Sequence, residues 1–126
     1  MRTFVALTVS AVLLGFTGHV HAARLLSPPL PTNTNTSGGC YIRNTGTIAV
    51  DVVVSLFSNN SVVVTFDGCN TAPLAGGRTC VVLASLPDDS YAACSVSAGS
   101  VAKLRGTLEV REENPFPKTL VSEELR

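Results

Sequence analysis

Apolar and polar residues alternate with a period of two along much of the chain, and this restricts it to β-structure. From Ala102 to Arg111, apolar or small residues take every second position and charged or hydroxyl residues fill the positions between. The same period runs from Ile48 to Phe57, where the abundance of β-branched residues excludes a helix. Successive side chains of a strand point to opposite faces, so the pattern predicts antiparallel strands with one buried face.

Turn signals divide the chain into about six strands, the number typical of a small sandwich. The predicted strands cover residues 40–44, 48–57, 62–66, 79–84, 91–98 and 102–111. Their spacing predicts an all-β fold, a small antiparallel immunoglobulin-like sandwich. A small closed β-barrel is the alternative.

The last two predicted strands are expected to form a hairpin. A three-residue loop, Gly99-Ser100-Val101, would pair Val96 with Leu104 and Cys94 with Gly106. That register puts the apolar side chains of both strands on one face, whereas a two-residue loop would bury charges beside Cys94.

The first residues have the pattern of a secretory signal peptide. Arg2 precedes an apolar run from Phe4 to Phe16, which is shorter than the about 20 residues of a membrane-spanning helix. Val20 and Ala22 then place small or β-branched residues at the positions that signal peptidases require. We therefore expect residues 1–22 to be removed and the chain to be secreted or periplasmic, with no membrane span after cleavage.

Two further segments differ in composition from the strands. Residues 23–39 are rich in Pro, Thr, Asn, Ser and Gly, and they are expected to form a disordered tether. Residues 112–126 contain prolines and several charges, and they are expected to fray as a charged tail. The folded domain is therefore predicted over residues 40–111.

Four cysteines remain after the signal segment, and an even number in an exported chain indicates disulfides. Of the three connectivities that four cysteines allow, we predict Cys40 with Cys94 and Cys69 with Cys80. Cys40 and Cys94 each share a strand face with an apolar neighbour, so both point into the core, and Cys69 and Cys80 flank one loop. Their spacing is not that of a zinc site, and no metal or other cofactor is expected.

The composition argues against most enzymatic chemistry. Both histidines, His19 and His21, lie in the signal segment, so the exported chain has no imidazole to activate a nucleophile. We therefore expect that the protein is not an enzyme. The formal net charge is zero and no basic cluster is visible along the chain, which argues against nucleic acid or an anionic membrane as the main partner.

What remains is a non-enzymatic binding or structural module of the cell envelope or secreted fraction, with a protein or a glycan as partner. The alternative is a secreted enzyme inhibitor that presents the loop over residues 70–78. In that loop Pro73 would stiffen the backbone, Leu74 would be an apolar anchor and Arg78 would contact a carboxylate. A competing interpretation is that Leu74 packs on the core and the loop only caps the sandwich.

Four stretches of the chain carry a resemblance to known proteins. They are Cys40-Tyr41-Ile42-Arg43-Asn44, Gly76-Gly77-Arg78-Thr79-Cys80, Tyr91-Ala92-Ala93-Cys94-Ser95-Val96 and Arg105-Gly106-Thr107-Leu108. With the Val-rich strand between them, they resemble a loose group of small exported bacterial proteins with a four-cysteine immunoglobulin-like β-sandwich. The resemblance implies a fold and an exported location, and it brings no activity and no binding residue.

Overall fold

A computed structural model of the chain describes residues 22–113 and 118–126, which form ten strands. In chain order these are β1 (Ala23–Leu26), β2 (Leu30–Pro31), β3 (Thr36–Asn44), β4 (Val52–Ser58), β5 (Ser61–Val62), β6 (Phe66–Asp67), β7 (Thr79–Ser85), β8 (Tyr91–Ala98), β9 (Leu104–Glu112) and β10 (Lys118–Glu124). None of the described residues belongs to a helix that could cross a membrane. The signal segment predicted over residues 1–22, apart from Ala22, and residues 114–117 of the predicted tail lie outside the described residues.

The strands form two antiparallel sheets that pack face to face. One sheet has the order β1-β8-β4-β5, with β2 also paired to β8, and the other has the order β10-β9-β3-β7-β6. The sheets do not close into the single barrel that was the alternative fold. The predicted all-β sandwich is therefore confirmed.

The core lies between the two sheets and follows the period-two pattern. On β9, Leu104, Gly106, Leu108 and Val110 are buried, while the alternate residues Arg105, Thr107 and Glu109 are exposed or half-buried. The completely buried apolar side chains come from both sheets and are Ile42, Leu56, Val96, Leu104, Leu108 and Val110. Because burying each such side chain contributes about 1.5–3 kcal/mol, these facing rows hold the sheets together.

Two disulfides connect the chain as predicted. Cys40 on β3 pairs with Cys94 on β8, with a Cα–Cα distance of 5.8 Å, and this bond joins the two sheets through the core. Cys69 pairs with Cys80, with a Cα–Cα distance of 5.1 Å, and this bond ties the segment after β6 to β7. Both predicted pairings are confirmed, and the described chain has no free cysteine.

The predicted hairpin between the last two core strands is wrong. β8 lies in one sheet between β1 and β4, and β9 lies in the other between β3 and β10. The chain crosses between the sheets over residues 99–103, so Val96 and Cys94 are not paired with Leu104 and Gly106. Two strands with apolar faces can bury those faces either as neighbours in one sheet or from two sheets that face each other. The alternation of apolar and polar residues is the same in both arrangements, so it does not show which of them a strand pair adopts.

The predicted disordered tether over residues 23–39 is also wrong, because most of it pairs within the sheets. β1 and β2 pair with β8, Leu30 is only 5% exposed, and residues 36–39 begin β3. The glycines there are packed: a Cβ built on Gly38 would lie 3.1 Å from Leu86 and 3.3 Å from Leu56. Small residues in this segment therefore allow close packing and do not signal disorder.

The predicted charged tail over residues 112–126 does not fray where the structure describes it. β10 pairs with β9 along its length, and Leu125 is 8% exposed beside Gly106, where a Cβ would approach Leu125 Cδ2 to 2.8 Å. The backbone of Arg126 exchanges two hydrogen bonds of 2.9 Å with Leu26. This segment therefore borders both sheets at one edge of the sandwich.

The strand predicted over residues 48–57 begins later than expected, at Val52. Ile48, assigned to the apolar face, is 79% exposed. Val50 forms an isolated antiparallel bridge with Leu74 and joins no neighbouring strand. Similarly, the strand predicted over residues 62–66 is replaced by the two short strands β5 and β6. Residues 45–51 therefore form a loop at one end of the sandwich.

Candidate functional site at the loop end of the sandwich

Three long connections meet at one end of the sandwich, which we call the loop end. They are residues 45–51 between β3 and β4, residues 68–78 between β6 and β7, and residues 99–103 between β8 and β9. Loops carried on a rigid sheet framework are common positions for binding residues. The loop end also contains the segment that the sequence singled out for binding.

Backbone hydrogen bonds connect the three loops to one another. Thr45 donates to the carbonyl oxygen of Lys103 through its amide, at 2.8 Å, and through Oγ1, at 2.9 Å. Val50 and Leu74 exchange two backbone hydrogen bonds of 3.0 and 2.8 Å. The loops therefore support each other although none of them forms a regular strand.

The side chain of Asn44, at the end of β3, organises these loops. It is completely buried, and its Nδ2 donates to the carbonyl oxygens of Ile48 at 2.8 Å and Leu74 at 2.9 Å. Its Oδ1 accepts a hydrogen bond from the amide of Gly46 at 2.9 Å. Because a buried amide needs such partners, this one residue holds two loops in a fixed arrangement.

The loop over residues 68–78 is fixed at its start by two further features. The Cys69–Cys80 disulfide closes it, and the amide of Asn70 bonds to both backbone polar groups of Val54, at 2.8 and 2.9 Å. The Asn70 side chain thus makes the two hydrogen bonds to Val54 that a neighbouring strand would otherwise make at this edge of β4. Asp67 accepts hydrogen bonds from the Asn70 side chain and backbone and from the Cys69 amide, which lower the pKa of Asp67.

The structure separates the three residues predicted to bind. Leu74 is 6% exposed and belongs to the core, so it is not an apolar anchor for a partner. The structure agrees with the competing interpretation, in which Leu74 packs on the core. Pro73 is exposed, and Arg78 is exposed at the end of the loop, where its carbonyl oxygen accepts a hydrogen bond from the Asn44 amide at 3.0 Å.

Four basic residues, Arg43, Arg78, Lys103 and Arg105, lie at the loop end around the ends of β3, β7 and β9. Arg43 on β3 is directly opposite Arg105 on β9, and Lys103 comes two residues before Arg105. Like charges in such a cross-strand pair repel each other. The linear sequence does not show this cluster, because Arg43 and Arg78 are distant in the chain from Lys103 and Arg105. The β3–β9 register places Arg43 opposite Arg105, and the pairing of β3 with β7 places the Arg78 backbone beside Asn44.

Within the described residues, no carboxylate pairs with these four cations, and Arg105 Nη1 donates to the carbonyl oxygens of Ala102 and Leu104. In the described part of the chain the one ion pair joins Arg111 Nη2 to Glu109 Oε2, at 2.6 Å, and it lies further along β9. Asp51 is the one acidic residue in the three loops. The basic cluster of Arg43, Arg78, Lys103 and Arg105 is therefore available to an anionic partner.

An exposed apolar side chain lies beside the cluster. Ile48 and Lys103 line the same groove, which has a volume of about 370 Å³. Ile48 is the most exposed large apolar side chain in the described chain, and its carbonyl oxygen is held by Asn44. The loop end therefore combines fixed backbone, unpaired positive charge and one apolar side chain directed to solvent.

Charged side chains lie towards both ends of the sandwich, and the formal net charge of the chain is zero. Asp88 and Asp89 lie in the turn before β8, at the opposite end from the basic cluster. Glu112 and Glu113 lie at the last residues of β9, also at that opposite end. Arg111 and Lys118 lie beside these carboxylates, and Glu123 and Glu124 on β10 lie nearer the loop end, opposite Leu108 and Thr107.

The described residues contain no group of three or more His, Cys, Asp or Glu side chains that could hold a metal ion. The arrangement of the loop end is suited to recognition by charge and apolar contact. Comparison of the chain with protein-family models, with curated proteins and with solved structures finds no match.

Proposed function

We propose that the protein is an exported, non-enzymatic binding module of the cell envelope or secreted fraction, and that the loop end is its contact surface. The observation that carries this proposal is a group of four cations at the loop end, none of them in an ion pair within the described residues, beside the loops that Asn44 fixes. The two disulfides suit an oxidising compartment, in agreement with the predicted signal segment.

Preorganisation of the loops supports a binding role. Ordering flexible loops on association lowers affinity, and a surface that is already fixed avoids this cost. The hydrogen bonds of Asn44 and the Cys69–Cys80 disulfide provide this order before any partner arrives.

Electrostatics supports the same surface. Arg43 lies directly opposite Arg105, and like charges in such a cross-strand pair do not stabilise the isolated chain. An anionic partner would attract both guanidinium groups. The two arginines would therefore stabilise a complex although they do not stabilise the isolated chain.

The inhibitor alternative has less support. An inhibitory loop needs an exposed side chain to enter the enzyme's specificity pocket, and Leu74 is part of the core. Arg78 is still exposed in the loop, but it lies at the entry to β7, where its backbone is bonded to Asn44 and Ala75.

The test is retention of the protein on the isolated cell envelope of the exporting cells. We expect the double variant R43Q/R105Q to be retained less than the wild type, because it removes two charges of the cluster. The matched control, R111Q/K118Q, removes the same formal charge towards the opposite end of the sandwich and is expected to be retained like the wild type. Equal retention of all three proteins, with equal melting temperatures, would show that the loop end is not the contact surface.

A further inference from the structure

We propose that the partner of the loop end is an anionic membrane surface, onto which the protein docks with Ile48 in the lipid interface and its basic cluster on the lipid phosphates. This inference rests on the proposed function and gives its partner a chemical class. The docking is peripheral, and no strand or helix of the described chain enters the membrane core.

Ile48 supplies the apolar part of this contact. Its side chain is 79% exposed at the tip of the loop over residues 45–51, beyond the last paired residues of β3. An apolar side chain at such a position gains free energy when it moves from water into the boundary between headgroups and acyl chains. The hydrogen bond from Asn44 to the Ile48 carbonyl oxygen keeps the loop in place for this contact.

The cations supply the electrostatic part. Lys103 lines the same groove as Ile48, and Arg105 and Arg43 follow on the adjoining ends of β9 and β3. Basic side chains near an anionic membrane surface each strengthen binding, and guanidinium groups bind phosphate through two parallel hydrogen bonds. Lys103 therefore lies where headgroups would meet a protein whose Ile48 side chain is inserted, and Arg43 and Arg105 lie on the adjoining strand ends.

The four acidic residues furthest from the basic cluster favour one orientation of the molecule. Asp88, Asp89, Glu112 and Glu113 lie at the end opposite the basic cluster. In the field of an anionic surface, this end is repelled while the loop end is attracted. The exported chain therefore approaches such a surface with its loop end first.

Ile48 is the reason to prefer a membrane to a soluble polyanion. A sulfated or phosphorylated polymer in water would use the cations and leave Ile48 without a contact, whereas a lipid surface uses both. The linear sequence argued against an anionic surface because no basic cluster is visible in it, and the fold removes that objection by bringing Arg43 and Arg78 to Lys103 and Arg105.

The experiment measures co-sedimentation of the exported protein with vesicles of phosphatidylcholine alone and of phosphatidylcholine mixed with phosphatidylglycerol. We expect binding to the mixed vesicles only. The R43Q/R105Q variant should reduce the partition constant about thirtyfold, since each basic residue near the surface contributes about 1 kcal/mol. The Ile48→Ser variant should reduce the partition constant about tenfold. Because salt screens charges and not apolar contacts, this difference between Ile48→Ser and the wild type should persist at a higher salt concentration.

Two controls keep the result specific. The R111Q/K118Q variant removes two charges away from the loop end, and Val62→Ser removes an exposed apolar side chain from β5 at the other end of β4. Both are expected to bind mixed vesicles like the wild type. An equal loss of binding in the controls and in the loop-end variants would overturn the proposal.

Soluble competitors distinguish the sources of phosphate. Inorganic phosphate at the same phosphate concentration should displace the protein weakly, because it offers no apolar phase for Ile48. Binding to dextran sulfate without binding to mixed vesicles would overturn the membrane inference. If envelope retention still depends on Arg43 and Arg105 but pure lipid vesicles do not bind, the membrane is the wrong partner and the proposed function stands.

Discussion

The two ends of the sandwich are held together in different ways. At the loop end, one buried amide, that of Asn44, makes three hydrogen bonds to loop backbone. At the opposite end, which we call the turn end, three buried hydroxyl groups share the task. Thr32 Oγ1 and Ser58 Oγ both lie within hydrogen-bond distance of Ser90 Oγ, at 2.9 and 3.2 Å, and Thr32 and Ser90 both donate to the Pro87 carbonyl oxygen.

The difference is one of redundancy. Pro87 retains one donor if either Thr32 or Ser90 loses its hydroxyl, whereas no other side chain takes the place of Asn44 at Ile48. A hydroxyl also rotates to suit its surroundings, and an amide presents its donors and acceptor in a fixed plane. We therefore expect the loop end to be rigid but sensitive to a single substitution, and the turn end to be tolerant.

Replacement of Asn44 tests this contrast most strongly. Asn44→Leu keeps a similar side-chain volume and removes three hydrogen bonds, so it should lower the free energy of unfolding by about 3–4 kcal/mol, at about 1 kcal/mol or more for each bond. Urea denaturation gives the value. Thr45→Val is the matched control, because the Lys103 carbonyl oxygen keeps its bond from the Thr45 amide, and it should cost less than about 1 kcal/mol.

Removal of the Cys69–Cys80 disulfide should have the next largest effect. For a sequence separation of 11, loop entropy assigns the bond about 3 kcal/mol, and the double variant Cys69→Ala/Cys80→Ala should be destabilised by that amount. Hydrogen exchange should accelerate first in residues 68–78. If exchange accelerates equally at the turn end, the two ends are not independent, and the contrast between them fails.

Loss of one hydroxyl at the turn end should cost less. In Ser90→Ala, Thr32 still donates to the Pro87 carbonyl oxygen, so we expect a loss of about 1 kcal/mol in the same urea experiment. Thr32→Val, which also removes the acceptor for the Ser90 amide, should cost somewhat more. A loss from Ser90→Ala as large as that from Asn44→Leu would refute the redundancy of the turn end.

The smallest expected effect is a pH dependence at Asp67. Hydrogen bonds from Asn70 lower the pKa of this carboxyl in the folded chain. A carboxyl with a lowered folded pKa stabilises the fold above its unfolded pKa, and this contribution is lost as the pH falls through the folded value. In an NMR titration, the Asn70 side-chain amide signals should therefore shift at a pH below the range in which carboxyl groups ordinarily titrate, because Asp67 becomes protonated there. The Asp67→Asn variant should not show this shift.

The sequence predicts the buried faces of this protein better than the partners of its strands. On β9, Leu104, Leu108 and Val110 are buried as the alternation requires, since one face of a strand must be apolar wherever it packs. The pairing Cys40–Cys94 followed from the same faces. Alternation carries no information about which sheet a strand joins, and for this reason the hairpin through Gly99 was wrong.

The other errors arose where backbone contacts outweigh composition. Gly38 and its neighbours look like a linker, but they lie in the middle of a sheet, where a Cβ on Gly38 would lie only 3.1 Å from Leu86. The basic cluster was missed for a related reason, because Arg43 meets Arg105 only through the register of β3 with β9. The Arg78 prediction identified one member of that cluster, and Leu74 was misjudged because an apolar residue in a loop can serve the core.

The Cys40–Cys94 bond also has a mechanical consequence. A pulling force applied at β1 and β10 passes through this bond and bypasses the chain between the two cysteines, a sequence separation of 54 that includes the Cys69–Cys80 loop. Under tension only the arms outside the bond can lengthen. Asn44, Ile48 and Arg78 lie inside the shielded stretch, and Lys103 and Arg105 lie on one of the extensible arms. Stretching the oxidised chain would therefore pull the two halves of the basic cluster apart before it unravelled the loops that carry Ile48.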